Sequence, residues 1–258
     1  MRKRQFVVVG VMMAMAVLVT SCVRCSDNMV FDKNTFTENR QLKGFEEIEI
    51  NGSPTVYYTQ GDAFSVTVKG PESRVKNILT EKNGKTLTIR NKGKIGLFNI
   101  QLGDEGEIAV FVTSPDLIGI RLNGSGDFIS EKRVDTDKID IMLRGSGDIE
   151  VNDLICDRCD VQLIGSGDIQ LENVDTKELS ASLVGSGDIS FEVRNAADTR
   201  LALKGSGDID AKFLDNCDAV ECELKGSGDI SLKGEVHRFS KEKSGSGDIS
   251  VGQLTVRQ

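Results

Sequence analysis

Residues 139–169 read IDIMLRGSGDIEVNDLICDRCDVQLIGSGDI. Gly-Ser-Gly-Asp-Ile stands in this stretch twice, at Gly145 and at Gly165. Each copy follows a run with an apolar residue at every second position: Ile139, Ile141 and Leu143, then Cys159, Val161 and Leu163. A period of two places one set of side chains on one face of an extended strand, so each unit contains a strand with one buried face. Working outward, the tetrapeptide starts at Gly124, Gly145, Gly165, Gly185, Gly205, Gly226 and Gly245, at spacings of 21, 20, 20, 20, 21 and 19 residues. A unit this short has no room for an ordinary helix beside the strand, and it cannot bury its apolar face alone. It must stack on its neighbours. The sequence therefore predicts an all-β solenoid, a parallel β-helix with coils of about 20 residues whose equivalent strands lie about 4.8 Å apart.

Aligned on the first glycine, the coils share buried columns. The residue after each Asp is Phe128, Ile149, Ile169, Ile189, Ile209, Ile230 or Ile249, and two residues before the motif stand Leu122, Leu143, Leu163, Leu183, Leu203, Leu224 and then Lys243. Lys241 likewise ends the column of Ile120, Ile141, Val161, Ala181, Leu201 and Cys222. Two lysines at inward positions of the last coil are read as a cap, because charge there blunts a sticky sheet edge. The glycines suit a sharp corner that needs positive φ, and Ser and Asp side chains can bond the turn's own N–H groups. Stacking also puts Asp127, Asp148, Asp168, Asp188, Asp208, Asp229 and Asp248 in one column, where like charges repel unless hydrogen bonds, basic neighbours or cations intervene. The motif is read first as a structural corner. The alternative is a Ca²⁺ ladder on those seven carboxylates.

Cys156-x-x-Cys159 resembles half of a zinc site, but the register places Cys156 in a column with Thr136, Thr176, Ala196, Cys217 and Val236, and Cys159 and Cys222 among Leu, Val and Ile. The cysteines are thus read as small core residues and no metal is assigned to them. His237 is the only histidine and is expected at the surface, which leaves Ser-His-Asp and Cys-His nucleophile systems little to work with. No P-loop or dinucleotide fingerprint is present, since the Gly-rich turns precede strands rather than helices. With no Trp and only Tyr57 and Tyr58, the chain offers few aromatic platforms for a sugar. No catalytic or cofactor residue is assigned.

At the other end, Arg2, Lys3 and Arg4 precede an uncharged, mostly apolar run from Phe6 to Thr20, followed by Ser21 and Cys22. The run is shorter than the roughly 20 residues a spanning helix needs, and its basic front fits an export signal. Val19-Thr20-Ser21-Cys22 resembles a bacterial lipobox, which makes Cys22 the lipidated first residue of the mature protein and its anchor to the membrane. Removing residues 1–21 takes away three basic and no acidic residues, moving the formal charge from −8 to −11, and such a chain is a poor partner for nucleic acid. The expected organisation is a signal at 1–21, a polar tether at 22–41 and one β-helix domain at 42–258, irregular over 42–113 and regular over 114–258. Within the irregular part, strands are expected at Phe45 to Ile50, Val56 to Tyr58, Phe64 to Val68, Leu87 to Ile89 and Ile108 to Val112, and Asn51-Gly52-Ser53-Pro54 as a degenerate turn of the same type. One or two helical turns are expected over Pro71 to Leu79, and an exposed loop over Asn91 to Gly106.

Gly44-Phe45, Tyr58-Thr59-Gln60-Gly61-Asp62, Gly84-Lys85-Thr86-Leu87-Thr88-Ile89, Pro115-Asp116-Leu117 and the Gly-Ser-Gly-Asp-Ile repeats together resemble the head GIN domain family over residues 41–258. Members are described as auto-transporter adhesins and are common as lipoproteins in Bacteroides-like bacteria. The resemblance implies a right-handed parallel β-helix at the cell envelope and brings no catalytic residues with it. The expected function is a non-enzymatic envelope lipoprotein, an outer-membrane adhesin or scaffold facing a protein or polysaccharide partner, with oligomerisation left open. The alternatives are a carbohydrate-active β-helix enzyme and a calcium-dependent binding module.

Overall fold

A computed structural model of the chain describes residues 35–93 and 107–257. The expected export signal, Cys22, the first part of the expected tether and most of the expected loop over 91–106 lie outside the described residues. The chain enters through β1 (Phe36–Arg40), β2 (Glu47–Gly52), β3 (Thr55–Gln60), β4 (Ser65–Gly70), the short helix α1 (Glu72–Val75), β5 (Ile78–Asn83), β6 (Thr86–Asn91) and β7 (Ala109–Ser114). Pairs then follow: β8 (Gly119–Gly124) with β9 (Asp127–Asp135), β10 (Lys138–Gly145) with β11 (Asp148–Ile155), and β12 (Arg158–Gly165) with β13 (Ile169–Asp175). Next come β14 (Glu178–Gly185) with β15 (Ile189–Arg194), and β16 (Asp198–Gly205) with β17 (Ile209–Phe213). The last pairs are β18 (Ala219–Gly226) with β19 (Ile230–Val236) and β20 (Arg238–Gly245) with β21 (Ile249–Val256).

Among the described residues these strands form two sheets. Eleven run in the order β1-β4-β7-β3-β9-β11-β13-β15-β17-β19-β21, and ten in the order β20-β18-β16-β14-β12-β10-β8-β2-β6-β5. Each regular coil therefore contributes one strand to each sheet, turning at the Gly-Ser-Gly-Asp corner and again near Thr136, Cys156, Thr176, Ala196, Cys217 and Val236. From β8 and β9 onward every pairing is parallel, with first glycine opposite first glycine, as in Gly145↔Gly165 and Gly165↔Gly185. The inward columns of both sheets meet in one core in which the Leu column from Leu122 to Leu224 and the Ile column from Ile149 to Ile249 are each at most 2% exposed. Cys156, Cys159, Cys217 and Cys222 are free and buried in that core, as the register requires.

The sequence pattern exposes the strand before each corner more clearly than the one after it. The second strand loses its alternation where the register shifts, between Val151 and Asp153 and between Leu171 and Val174, so that Val151 and Leu154 both face inward although three positions apart. Bulges of this kind bend a strand and break period-two counting. In the irregular part, Asn51-Gly52-Ser53-Pro54 takes its place in the ladder with Gly52 opposite Gly124. One expected boundary is corrected. The tether does not run to residue 41, because Phe36–Arg40 forms edge strand β1 antiparallel to β4, with Phe36 packed on the core. The expected helical segment forms as a single turn at Glu72–Val75 and stops there because Ile78 belongs to β5, which pairs antiparallel with β6.

The corner fixes which residue types the repeat can use. The carbonyl of Gly124 accepts two N–H groups from the next coil, from Ser146 at 2.9 Å and Gly147 at 3.2 Å, and the same pair of bonds recurs from Ser166 and Gly167 to Gly145 and from Ser186 and Gly187 to Gly165. Bonds this close leave no volume for a side chain between coils. A Cβ on Gly165 would lie 2.1 Å from the Gly145 carbonyl oxygen, and one on Gly167 1.9 Å from that of Gly147. The first glycine is further restricted by its φ of +146°. Gly167→Ala should therefore cost more than the ~1–3 kcal/mol of ordinary overpacking, because the obstacle is backbone rather than a side chain that can swing away. Gly252→Ala, with nothing within 4 Å of its added Cβ, serves as the control. Chemical denaturation should show a large loss of midpoint for the first variant and none for the second.

Candidate interaction surface

The aspartates of the repeat form a ladder of their own. Asp148 Oδ1 accepts the Asp168 N–H at 3.1 Å, Asp168 Oδ1 that of Asp188 at 3.0 Å, and Asp188 Oδ1 that of Asp208 at 2.9 Å. Asp208 and Asp229 continue the series to the N–H groups of Asp229 at 2.8 Å and Asp248 at 2.7 Å. Each carboxylate thus meets a backbone donor of the next coil, which offsets part of the repulsion within the column. The ends are closed by other groups: Thr55 Oγ1 bonds Asp127 Oδ2 at 3.0 Å, and Lys243 Nζ lies 3.3 Å from Asp248 Oδ1. Lys241, exposed in its inward column, donates to the Ile249 carbonyl at 3.3 Å. Among the described residues no three His, Cys, Asp or Glu side chains converge as a metal site. His237 is exposed at the second corner, with Nδ1 3.2 Å from the Cys217 carbonyl oxygen.

Because the carboxylate works as a hydrogen-bond acceptor, Asp188→Asn should keep the bond through its amide oxygen and relieve charge, leaving stability equal or higher. Asp188→Ala should lose about 1 kcal/mol. Unfolding midpoints of the native chain should be the same in EDTA and in millimolar Ca²⁺. A rise with Ca²⁺ that disappears in Asp188→Asn would instead show the column acting as a cation ladder.

With the column accounted for, the outer face of the eleven-stranded sheet holds the most distinctive surface. Register aligns its outward side chains in rows that cross the strands. One row passes Gln170, Ser190, Asp210 and Ser231, and the next passes Glu192, Lys212 and Lys233. The short side chains of Ser190, Asp210 and Ser231 beside the long ones of Glu172, Glu192, Lys212 and Lys233 leave a groove of about 490 Å³. Glu192 and Lys212 meet across neighbouring strands at 3.0 Å, whereas no ion pair holds Lys233 among the described residues. The groove is polar, open and without a nucleophile-base pair. Its geometry suits surface contact.

The first row continues toward the N-terminal end through Glu150 and Ile129 to Tyr57 and Phe111. The Tyr57 and Phe111 rings stack at 5.4 Å between centroids with planes 21° apart, and Lys69 Nζ sits 4.7 Å from the Phe111 centroid. Burial, followed by the fields of Glu107, Asp127, Glu131 and Glu150, pushes the Tyr57 phenol up from its ordinary value. Burial first and then neighbouring carboxylates, Asp148 and Asp127 foremost, likewise raise Glu150. Tyr58 faces the other way into the core, where its hydroxyl lies 3.0 Å from Ser114 Oγ and burial pushes its pKa up to about 12. In the sequence Tyr57 stands out only as a scarce aromatic. The signal for the platform was present in Phe111, a large apolar residue in the outward position between Val110 and Val112.

On the opposite face several charges are paired locally. Arg121 pairs with Glu47 at 2.7 Å, Arg158 with Asp160 at 2.7 Å and Arg200 with Asp198 at 2.7 Å.

The family described as "Putative auto-transporter adhesin, head GIN domain" matches residues 44–212 and 173–258. Among solved structures, a putative adhesin from Bacteroides fragilis is 26% identical with a TM-score of 0.69, and the match covers 85% of this chain and 97% of that one. A putative adhesin from Parabacteroides distasonis is 18% identical with a TM-score of 0.68, covering 84% and 96% of the two chains. A putative lipid binding protein from the same species is 22% identical with a TM-score of 0.60, covering 88% and 98%. These last two share the fold. No curated protein matches the chain.

Proposed function

We propose that this chain, which belongs to the head GIN domain family and is thus an adhesin-like protein of the cell surface or envelope, acts without catalysis as a lipid-anchored solenoid that presents the outer face of its eleven-stranded sheet to a partner. The groove over β13, β15, β17 and β19 carries this reading. It is built from outward side chains that do not enter the core, and its Lys233 joins no ion pair among the described residues. The anchoring part rests on Arg2 to Cys22, where a basic start, an apolar run and a lipobox-like Val19-Thr20-Ser21-Cys22 stand in order. A membrane anchor at one end and a stiff stacked body at the other would hold the face away from the bilayer. Dual attachment is common for stable anchoring, because a single acyl chain binds a membrane weakly.

Filling the groove tests the reading. Ser190→Arg with Ser231→Arg places two long side chains where the floor is short, without touching the core. The native chain displayed on beads should be retained by at least one of a panel of immobilised glycoproteins and polysaccharides, and the double variant should lose tenfold or more of that retention at an unchanged melting temperature. Retention that is identical on every surface rejects the face. In cells, Cys22→Ala should move the protein from the membrane fraction to the soluble fraction.

A further inference from the structure

We infer that the N-terminal end of this same face, centred on Tyr57, is a docking site for a lysine or arginine side chain carried by a protein partner. The inference rests on the reading of the eleven-stranded face as a contact surface and names the chemistry it would recognise.

Tyr57 is half-buried and faces outward from β3, with its ring stacked on that of Phe111 on one neighbouring strand and Ile129 opposite it on the other. A ring fixed in this way offers a π-face at little entropic cost, and such faces attract ammonium and guanidinium groups. The platform already seats one cation, since Lys69 Nζ lies 4.7 Å from the centroid of the adjoining ring. Carboxylates surround it. Asp127 bonds Thr55, but Glu107, Glu131 and Glu150 form no ion pair with any described residue. Glu131 lies two positions along β9 from Ile129, on the same side, and Glu150 stands opposite Ile129 in the next strand, so both flank the row that begins at Tyr57. The nearby guanidinium of Arg133 is already engaged by Asp153 at 2.9 Å. An anionic ligand would be repelled here, and a neutral sugar would use the ring without any need for the acids. A cation uses both.

The row also explains why the cation should belong to a polypeptide. From Tyr57 on β3 to Gln170 at the edge of the groove on β13 there are three strand steps, roughly 14 Å. About four extended residues cover that distance. A segment with a basic residue at one end can therefore fill the Tyr57 site and reach the groove.

The test uses the full chain and two labelled decapeptides, one lysine-rich and one identical but acetylated on every lysine, with binding read by fluorescence anisotropy at low and at physiological salt. The lysine-rich peptide should bind and the acetylated one should not, with affinity falling as salt rises. Glu131→Gln with Glu150→Gln should weaken binding tenfold or more. Tyr57→Ala should weaken it several-fold, and Tyr57→Phe, which keeps the π-face, should restore it. Asp140→Asn with Glu221→Gln removes the same charge from the opposite sheet and should leave binding unchanged. An equal loss in that control would mean the peptide follows net charge, and the inference falls. It falls equally if neither peptide binds or both bind alike. Should Tyr57→Ala fail to fold, the Glu131 and Glu150 pair decides alone. Failure here with retention still lost in the groove-filling variant leaves the adhesive face standing. Peptide binding confined to Tyr57 with retention untouched by groove filling would separate the two in the other direction.

Discussion

The structure depends on how closely one corner lies on the next. At each Gly-Ser-Gly-Asp turn the first glycine's carbonyl receives two N–H groups from the following coil, and a Cβ on either glycine would meet the preceding backbone at around 2 Å. This contact sets the register, and in a sheet a slip of one residue would turn every inward side chain outward. Coils of 19, 20 and 21 residues can coexist because the corner is held fixed while the extra residue is absorbed elsewhere, at the bulges of the second strand and at the second corner. Asn195 and Asn216 take positive φ at that second corner, where a non-glycine residue is tolerated. The constraint is thus concentrated at one edge of the coil, and variation is carried by the other.

A solenoid built from a repeating contact has to end that contact without leaving a template for other chains. At the N-terminal end the position of a preceding coil's carbonyl is taken by a side chain, with Asn91 Oδ1 accepting the Ser53 N–H at 3.3 Å. Strands β1, β4 and β5 then run antiparallel to their neighbours, so the parallel ladder stops inside the molecule. At the C-terminal end the edge strands among the described residues are β20 and β21. Lys241 and Lys243 instead stand opposite Cys222 and Leu224, in columns that are apolar in every earlier coil, and bond the Ile249 carbonyl and the last aspartate of the ladder. Inward charge at an edge raises the cost of adding another strand there.

How much of this was legible follows from which features repeat. The strand before each corner, the buried columns, the burial of the cysteines and the lysine cap all depend on period and register, which a sequence displays directly. The role of the aspartates did not show, because repetition places them in a column without saying where an oxygen points. Only the folded chain shows that Oδ1 reaches the N–H of the next Asp. Strand β1 was missed because Phe36-Thr37-Glu38-Asn39-Arg40 has one apolar residue to bury and otherwise faces water at the sheet edge. The surface rows were hidden for a further reason: Tyr57, Phe111, Ile129 and Glu150 come from four separate strands, two of them in the irregular part, and become neighbours only once β7 and β3 enter the sheet ahead of β9.

That division has a functional consequence. Along each strand, inward residues are tied to the stacking and outward residues are not, so the fold separates what holds the coils together from what the surface can recognise. On the ten-stranded sheet several outward positions form ion pairs between or along strands, which in exposed settings add little stability. On the eleven-stranded sheet the outward positions carry short polar side chains, a stacked aromatic pair, and Glu131 and Glu150, which join no ion pair among the described residues. A face that keeps its charges unsatisfied and its aromatic rings half open retains interaction energy for a second molecule, and on an adhesin-like solenoid that is the face where contact would be made.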